Sequence, residues 1–354
     1  MTSRERVARL LRFQEADRIG IAESLFWGST VKGWLEQGLD VEGNIYHTFD
    51  LDVHRVRAEL HLGLPIETVE ETEDYVLYRS ADGVLEKKFR VNPEERGVQH
   101  LDYLIKTPDD WFREKHRMTP DGRVDDRYVA EWREYYSRDR FVFFYLRGPF
   151  WSACNKMDFA QFNYWMFDHE DVVRDILETE TDLILGIWEE AARLGLRFDG
   201  AYILDVMGMK EATYISPALY RSLVMPFHER ICAFFRDRGF PVMLHSDGNV
   251  KDLLPHLIDA GFTALTPVES RAGMDLIELK EAYGDRLAFM GGIDADVLST
   301  GDRGAVEREV VTKTQAAKQG GGFIYHSDGS IPPTVSLDAY RYALDLAIEH
   351  GTYP

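Results

Sequence analysis

From Phe141 to the C-terminal residues, short apolar runs alternate with amphipathic stretches six times over. The apolar runs fall at 141–147, 199–205, 241–245, 263–268, 287–292 and 322–326. Each is short and bounded by turn residues, as strands buried on both faces are. Between and after them, apolar residues recur at helical spacing over about 170–195, 216–238, 249–260, 273–284, 303–318 and 336–349. Ser216-Pro217 offers an N-cap and a first-turn proline, Ser336 precedes Asp338, and Gly239, Gly261 and Gly284 stand where helix C-caps belong. A strand, a helix and a further strand of the same sheet impose parallel pairing, because the helix returns the chain to its starting edge. Runs near 18–23 and 48–54 raise the strand count to eight. Eight parallel strands close into a (β/α)8 TIM barrel. An open doubly wound sheet would call for Gly-x-Gly-x-x-Gly after the first strand, and none follows it. One barrel domain over residues 1–354 is therefore predicted.

The N-terminal half departs from this pattern between about 55 and 140. Thr2-x-x-Glu5 first forms a capping box ahead of Val7, Leu10 and Leu11 on one helical face. Tyr75–Tyr78 and Val84–Val91 then alternate as strands around Ala81-Asp82-Gly83, which predicts a β-hairpin with Asp-Gly at its turn. Residues 108–140 are densely charged, turn at Pro120-Asp121-Gly122, and are expected to be a peripheral helical insertion.

With 41 basic and 61 acidic residues, the net charge of −20 opposes nucleic acid or an anionic membrane as a partner. Cys154 and Cys232 build no disulfide framework and fit a reducing compartment. No apolar stretch approaches the length of a membrane span, and Met-Thr-Ser-Arg-Glu-Arg lacks the apolar core of a signal peptide. A cytoplasmic protein acting on a small molecule is expected, and a homodimer is left open.

Candidate chemistry gathers where strands end, the face of such barrels that carries active sites. His-Ser-Asp-Gly occurs twice, at His245–Gly248 and His326–Gly329, each time directly after an apolar run. An imidazole and a carboxylate two residues apart serve as metal ligands or as an acid/base pair. His245 and Asp247 are expected to hold a divalent ion, with His326, Asp328 and Glu269 completing its shell. Asp205 ends the apolar run Tyr202-Ile-Leu204, so its charge needs a partner; with His245 and Arg147 it makes a candidate catalytic set. Phe26, Trp27, Tyr145, Phe150, Trp151 and Met207 also follow strands and would wall the mouth for a flat, apolar substrate. Arg147 is the sole cation in this ring against Asp205, Asp247, Glu269, Asp294 and Asp328, which favours a neutral or phenolic ligand over a polyanion. Plainer roles exist for many of these residues. Asp294 suits a helix cap, Arg147 a structural ion pair, the aromatics a core, and the tetrapeptides simple turns. His169, His228 and His256 sit on helices and read as structural.

The chain resembles the uroporphyrinogen decarboxylase and corrinoid-methyltransferase superfamily, most strongly over 199–345. The resemblance rests on Ile215-Ser-Pro-Ala-Leu-Tyr220, Met225-Pro226-Phe227, Leu244-His-Ser-Asp-Gly-Asn249, Ala272-Gly-Met-Asp-Leu276, Tyr283-Gly-Asp-Arg-Leu287, Gly291-Gly-Ile-Asp294 and Gly321-Gly-Phe-Ile324. Ser3-Arg-Glu-Arg-Val7 and Ala16-Asp-Arg18 are similar as well. It implies the same barrel. Uroporphyrinogen decarboxylases carry Arg-Gln-Ala-Gly-Arg after the first strand, where this chain has Ser24-Leu-Phe-Trp-Gly28, so tetrapyrrole decarboxylation is not expected. Zinc methyltransferases of the superfamily use His-x-Cys after strand five and a further Cys after strand eight. Here those places hold His245-x-Asp247 and the neighbourhood of Gly329. The resemblance thus implies a metal-dependent methyltransferase, zinc being the expected metal, that demethylates a methoxylated aromatic. The methyl group would pass to a corrinoid (cobalamin) on a separate protein, since this chain has no Asp-x-His-x-x-Gly of its own. The alternatives are a metal-free decarboxylase or lyase of a smaller acid, run by Asp205, His245 and Arg147, and a non-catalytic small-molecule binder.

Overall fold

The computed structural model describes residues 1–41, 43–90 and 97–354. Its centre is a sheet of eight strands: β1 (Gly20–Ile21), β2 (Val53–Arg57), β3 (Phe141–Arg147), β4 (Gly200–Leu204), β5 (Val242–His245), β6 (Ala264–Thr266), β7 (Ala288–Met290) and β8 (Phe323–Tyr325). Neighbours run β1-β8-β7-β6-β5-β4-β3-β2, and every pairing is parallel. With helices outside, this is the expected (β/α)8 barrel. Side chains alternate along each strand: on β3, Phe143 meets Tyr202 inside the barrel, while Phe144 packs outward on Phe198 and Phe235.

The ring closes between β1 and β2 without a ladder. Asp52 donates its backbone N–H to the Ile21 carbonyl at 2.7 Å, and Ile21 returns its own N–H to the Asp52 carboxylate at 2.8 Å. The same fully buried carboxylate takes Arg6 and Arg18, each at 2.7 Å, and the Ser3 hydroxyl at 2.6 Å. One side chain does the work of the missing ladder bonds. The strand expected at 48–54 begins only at Val53, because Asn44 caps a helical turn over Ile45–Thr48 and Asp50 then reverses the chain at φ +50°.

The insertion fills the connection from β2 to β3. The hairpin is present, pairing Tyr75–Arg79 with Leu85–Phe89; Val91, placed at its end by sequence, lies outside the described residues. Two further strands, Glu67–Glu71 and Gln99–Asp102, extend it to a four-stranded antiparallel sheet. Glu67–Glu71 is exposed throughout, so no apolar alternation marks it. The segment 108–140 is not peripheral. Its helix Asp126–Tyr136 buries Tyr128 and Tyr135, and the Tyr135 ring stacks on His54 of β2 at 3.3 Å.

The outer helices follow their expected ranges except at 216–238. There a short turn (Pro217–Leu219) passes through a wide π turn (Tyr220–Val224) into Met225–Arg236. Pro226 has no N–H for the helical ladder, which opens just before it. No helix among the described residues is long and apolar enough to cross a membrane.

Candidate functional site

A cavity of about 670 Å³ opens at the C-terminal ends of the strands. Glu23 and Ser24 after β1, Arg55 and Arg57 of β2, Tyr145, Leu204, and His245 with Asp247 line it from the barrel. The insertion supplies Arg123, Asp125, Arg127, Tyr128 and Glu131.

On its floor the polar groups form one chain. The Nε2 of His245 lies 3.3 Å from Asp247, and its Nδ1 lies 2.5 Å from the Tyr202 hydroxyl. Arg55 donates to that hydroxyl at 3.0 Å, to the Ser24 hydroxyl at 3.3 Å and to the Ser24 carbonyl. Ser24 in turn meets His326 Nε2 at 2.6 Å. An Nε2–H aimed at the Asp247 carboxylate leaves Nδ1 as an acceptor, so Tyr202 donates to it and the tautomer of His245 is set. Partial desolvation in the mouth opposes the Asp247 charge, but the charge and hydrogen bond of His245 outweigh it and hold that carboxyl below its ordinary range. Burial pushes the Tyr202 phenol up to about 12, against the opposing pull of Arg55.

Glu23 and His326 behave differently. The Ser327 hydroxyl has one proton and two oxygen neighbours, Glu23 Oε2 at 2.6 Å and the Gly329 carbonyl at 2.7 Å. Ser327 donates to Glu23, and the Gly329 carbonyl is a second acceptor within reach of the same hydroxyl proton. Burial pushes Glu23 up to about 8, although hydrogen bonds from the Ser327 hydroxyl and N–H resist it. His326 is driven down to about 3 by burial, and its Nδ1 donates to the Ser327 carbonyl. Both groups are therefore neutral at neutral pH. An acid whose folded pKa is raised binds more protons folded than unfolded, so its contribution to stability is lost as pH climbs from about 4.5 to about 8. Glu23→Gln should remove that loss. The difference in urea unfolding free energy, variant minus parent, should rise across this window by on the order of 4 kcal/mol. The opposite-signed contribution of His326 is common to both proteins and cancels. Parallel pH profiles would mean that Glu23 is ionised in the fold.

Other residues singled out by sequence lie elsewhere. Asp205 is one position beyond Leu204 and faces outward, away from the cavity. Its carboxylate takes His228 at 2.7 Å and the N–H groups of Phe150 at 3.3 Å and Trp151 at 2.5 Å, anchoring the helix Pro149–Lys156. Arg147 does not line the cavity. Phe26 is buried among Trp34, Tyr46, Phe49 and Tyr340, and Phe150 against Phe162, while Trp27 is 40% exposed. Trp151 and Met207 also fall outside the lining, so Tyr145 alone of the expected aromatic wall reaches the cavity. The mouth is not poor in cations: Arg55, Arg57, Arg123 and Arg127 line it, which overturns the charge balance drawn from Arg147 alone.

The expected metal shell does not assemble. Glu269 accepts the Gly248 N–H at 2.8 Å. Asp328, raised to about 6 chiefly by burial, accepts the N–H groups of Ser270 and Ala295, both at 3.1 Å. His326 spends both ring nitrogens on Ser24 and Ser327. Only His245 and Asp247 stay together, and no three His, Cys, Asp or Glu side chains among the described residues are grouped to hold a metal ion. A resident zinc does not fit this donor set. Asp294 caps the helix Ala295–Ser299.

Sequence reasoning missed Arg55, Arg57, Tyr202 and the insertion residues. The signal for the first two was Val53-His-Arg-Val-Arg57, an alternation that continues past the strand end expected at 54.

The sequence model of the uroporphyrinogen decarboxylase (URO-D) family matches residues 141–350. The chain matches none of the curated proteins. Among solved structures it is similar to a methyltransferase from Methanosarcina mazei, at 16% identity and a TM-score of 0.67, over 99% of each chain. That likeness concerns the fold. A fainter one, to dispersin B, has a TM-score of 0.34 at 12% identity over 78% of this chain and 83% of the other, too low to bear on either fold or function.

Proposed function

This chain belongs to the uroporphyrinogen decarboxylase family, and from that premise we propose that it is a methyltransferase, taking a methyl group from a small methoxylated aromatic donor and passing it to a separate corrinoid protein. The observation that carries this reading is the placing of His245 at the cavity floor, its Nδ1 tied to Tyr202 and its Nε2 beside Asp247. Demethylating an ether breaks the methyl–oxygen bond, and the electron pair stays on oxygen. That oxygen is a poor leaving group unless it gains a proton as the bond breaks. To act as the acid, His245 takes a second proton on Nδ1, which then donates to the Tyr202 oxygen while Asp247 offsets the ring's charge; its Nε2 proton passes to the departing oxygen and a neutral ring remains. The reduced corrinoid supplies the nucleophile that accepts the methyl group.

A second reading, decarboxylation or another lyase reaction of a small acid, is favoured by Arg55. Its guanidinium lies beside Tyr202 and Ser24, and none of its hydrogen-bond partners is a carboxylate. A buried cation in that state suits a substrate carboxylate. Anaerobic incubation with methoxybenzoates and reduced free cobalamin separates the two. Methylcobalamin and a phenol in equal amounts are expected. Carbon dioxide without methylcobalamin would replace the first reading with the second, and the absence of both products would remove both.

A further inference from the structure

The two copies of His-Ser-Asp-Gly meet at one guanidinium. Arg55 Nη1 donates to the Tyr202 hydroxyl at 3.0 Å and to the Ser24 hydroxyl at 3.3 Å, and its Nη2 donates to the Ser24 carbonyl. Each hydroxyl turns its own proton away from the cation and toward an imidazole, Tyr202 to His245 Nδ1 at 2.5 Å and Ser24 to His326 Nε2 at 2.6 Å. The His326 end is fixed. Its Nδ1 faces the Ser327 carbonyl, which only accepts, so Nε2 is bare and Ser24 must donate to it. That ring is fully buried and neutral. The Ser24 oxygen still has a second lone pair to offer, and Ser24 is a hydrogen-bond neighbour of the Tyr202 phenol.

The His245 end has two settings. With a neutral ring, Nδ1 accepts the Tyr202 proton. With a charged ring, Nδ1 donates to the Tyr202 oxygen, so the phenol proton must leave that line. It cannot turn to Arg55, which only donates. We infer that Ser24 is a positioning residue for His245: its oxygen receives the Tyr202 O–H whenever the imidazole takes its second proton, while Arg55 holds the two hydroxyls together and His326 keeps the Ser24 proton out of the way. No proton changes its owner among Tyr202, Ser24 and His326, and every one of them has a partner in both settings. The charged and titratable groups facing the His245 ring are Asp247 on its own loop, Tyr202 of β4, Arg55 of β2 and His326 of β8. Asp247 favours the charged ring and Arg55 opposes it, and both remain when Ser24 loses its hydroxyl. The inference rests on the proposed function only for the use made of the second proton.

Nitrogen-15 NMR of the histidine-labelled full chain across pH, with His245 assigned by its loss in His245→Gln, tests the relay. Ser24→Ala should lower the pH at which His245 takes its second proton by about one unit, because only the charged setting loses an acceptor. Tyr202→Phe has no phenol proton to rehouse, so adding Ser24→Ala to it should shift nothing further. Ser24→Thr keeps the hydroxyl and should stay near the parent. In turnover of methoxybenzoates with reduced cobalamin, above that pH, Ser24→Ala should lose about tenfold in kcat with KM unchanged. No shift in Ser24→Ala would overturn the inference. So would an equal shift with and without the Tyr202 hydroxyl, by showing that Ser24 acts through Arg55 or through packing. The expected NMR pattern in a protein that demethylates nothing would uphold the relay and remove the methyl-transfer reading.

Discussion

His245→Gln is expected to lower turnover by about three orders of magnitude, near the middle of the range for losing a general acid, with the fold and substrate affinity nearly intact. Glutamine can still accept a hydrogen bond from Tyr202 and donate one toward Asp247, so the packing around the site survives. It cannot carry a transferable proton, and the leaving oxygen would depart as a bare anion. The loss should therefore fall on kcat and not on KM. Tyr202→Phe, which frees the ring without removing its proton, should lose far less. Single-turnover rates at several pH values check both variants. Equal losses in the two would mean that ring orientation, not proton delivery, is the contribution of His245. Unchanged turnover in His245→Gln would remove it from the chemistry.

The second large effect concerns stability. Asp52→Asn should cost about 3–5 kcal/mol, the range found when one member of a buried charge cluster is removed. The carboxylate receives two guanidiniums, a hydroxyl and the Ile21 N–H in a fully buried place. Asparagine keeps the shape but has a single acceptor oxygen and no charge, so Arg18 loses its ion pair while Arg6 retains Asp17 at 2.7 Å. Urea unfolding at neutral pH gives the difference. A cost below about 1 kcal/mol, typical of exposed pairs, would mean that the barrel closes by packing alone.

Much of the barrel was legible because parallel strands covered on both faces are continuous apolar runs. Residues 141–147 and 322–326 needed no tertiary information. The site was less legible, and alternation explains much of the difference. Asp205 looks functional as a charge ending a buried strand, yet one position of pleat separates it from Leu204 and turns it toward His228. The same alternation brings Arg55 and Arg57 onto the cavity, but only once β2 is extended to its true end at 57. Phe26 and Phe150 are aromatic residues at strand ends, as a substrate wall would require. What buries them is Trp34, Phe49, Tyr340 and Phe162, whose approach is set by the fold and not by local spacing. His245 and Asp247 were legible because the motif itself places them two residues apart. Their neighbour Tyr202 was hidden inside an apolar run.

The segment that carries Arg123 and Tyr128 leaves the barrel after β2 and re-enters at β3, and those two strands are partners in the sheet. Its two ends are therefore anchored side by side, and the parts of it that do not pack on the barrel, as Tyr128 and Tyr135 do, can change without moving the strands. His245, Tyr202 and Arg55 remain where the barrel puts them. Selection acting on this one loop could thus retune which molecules enter while inheriting the reaction unchanged. A graft of the corresponding segment from another barrel of this family would transplant the entrance and leave the floor.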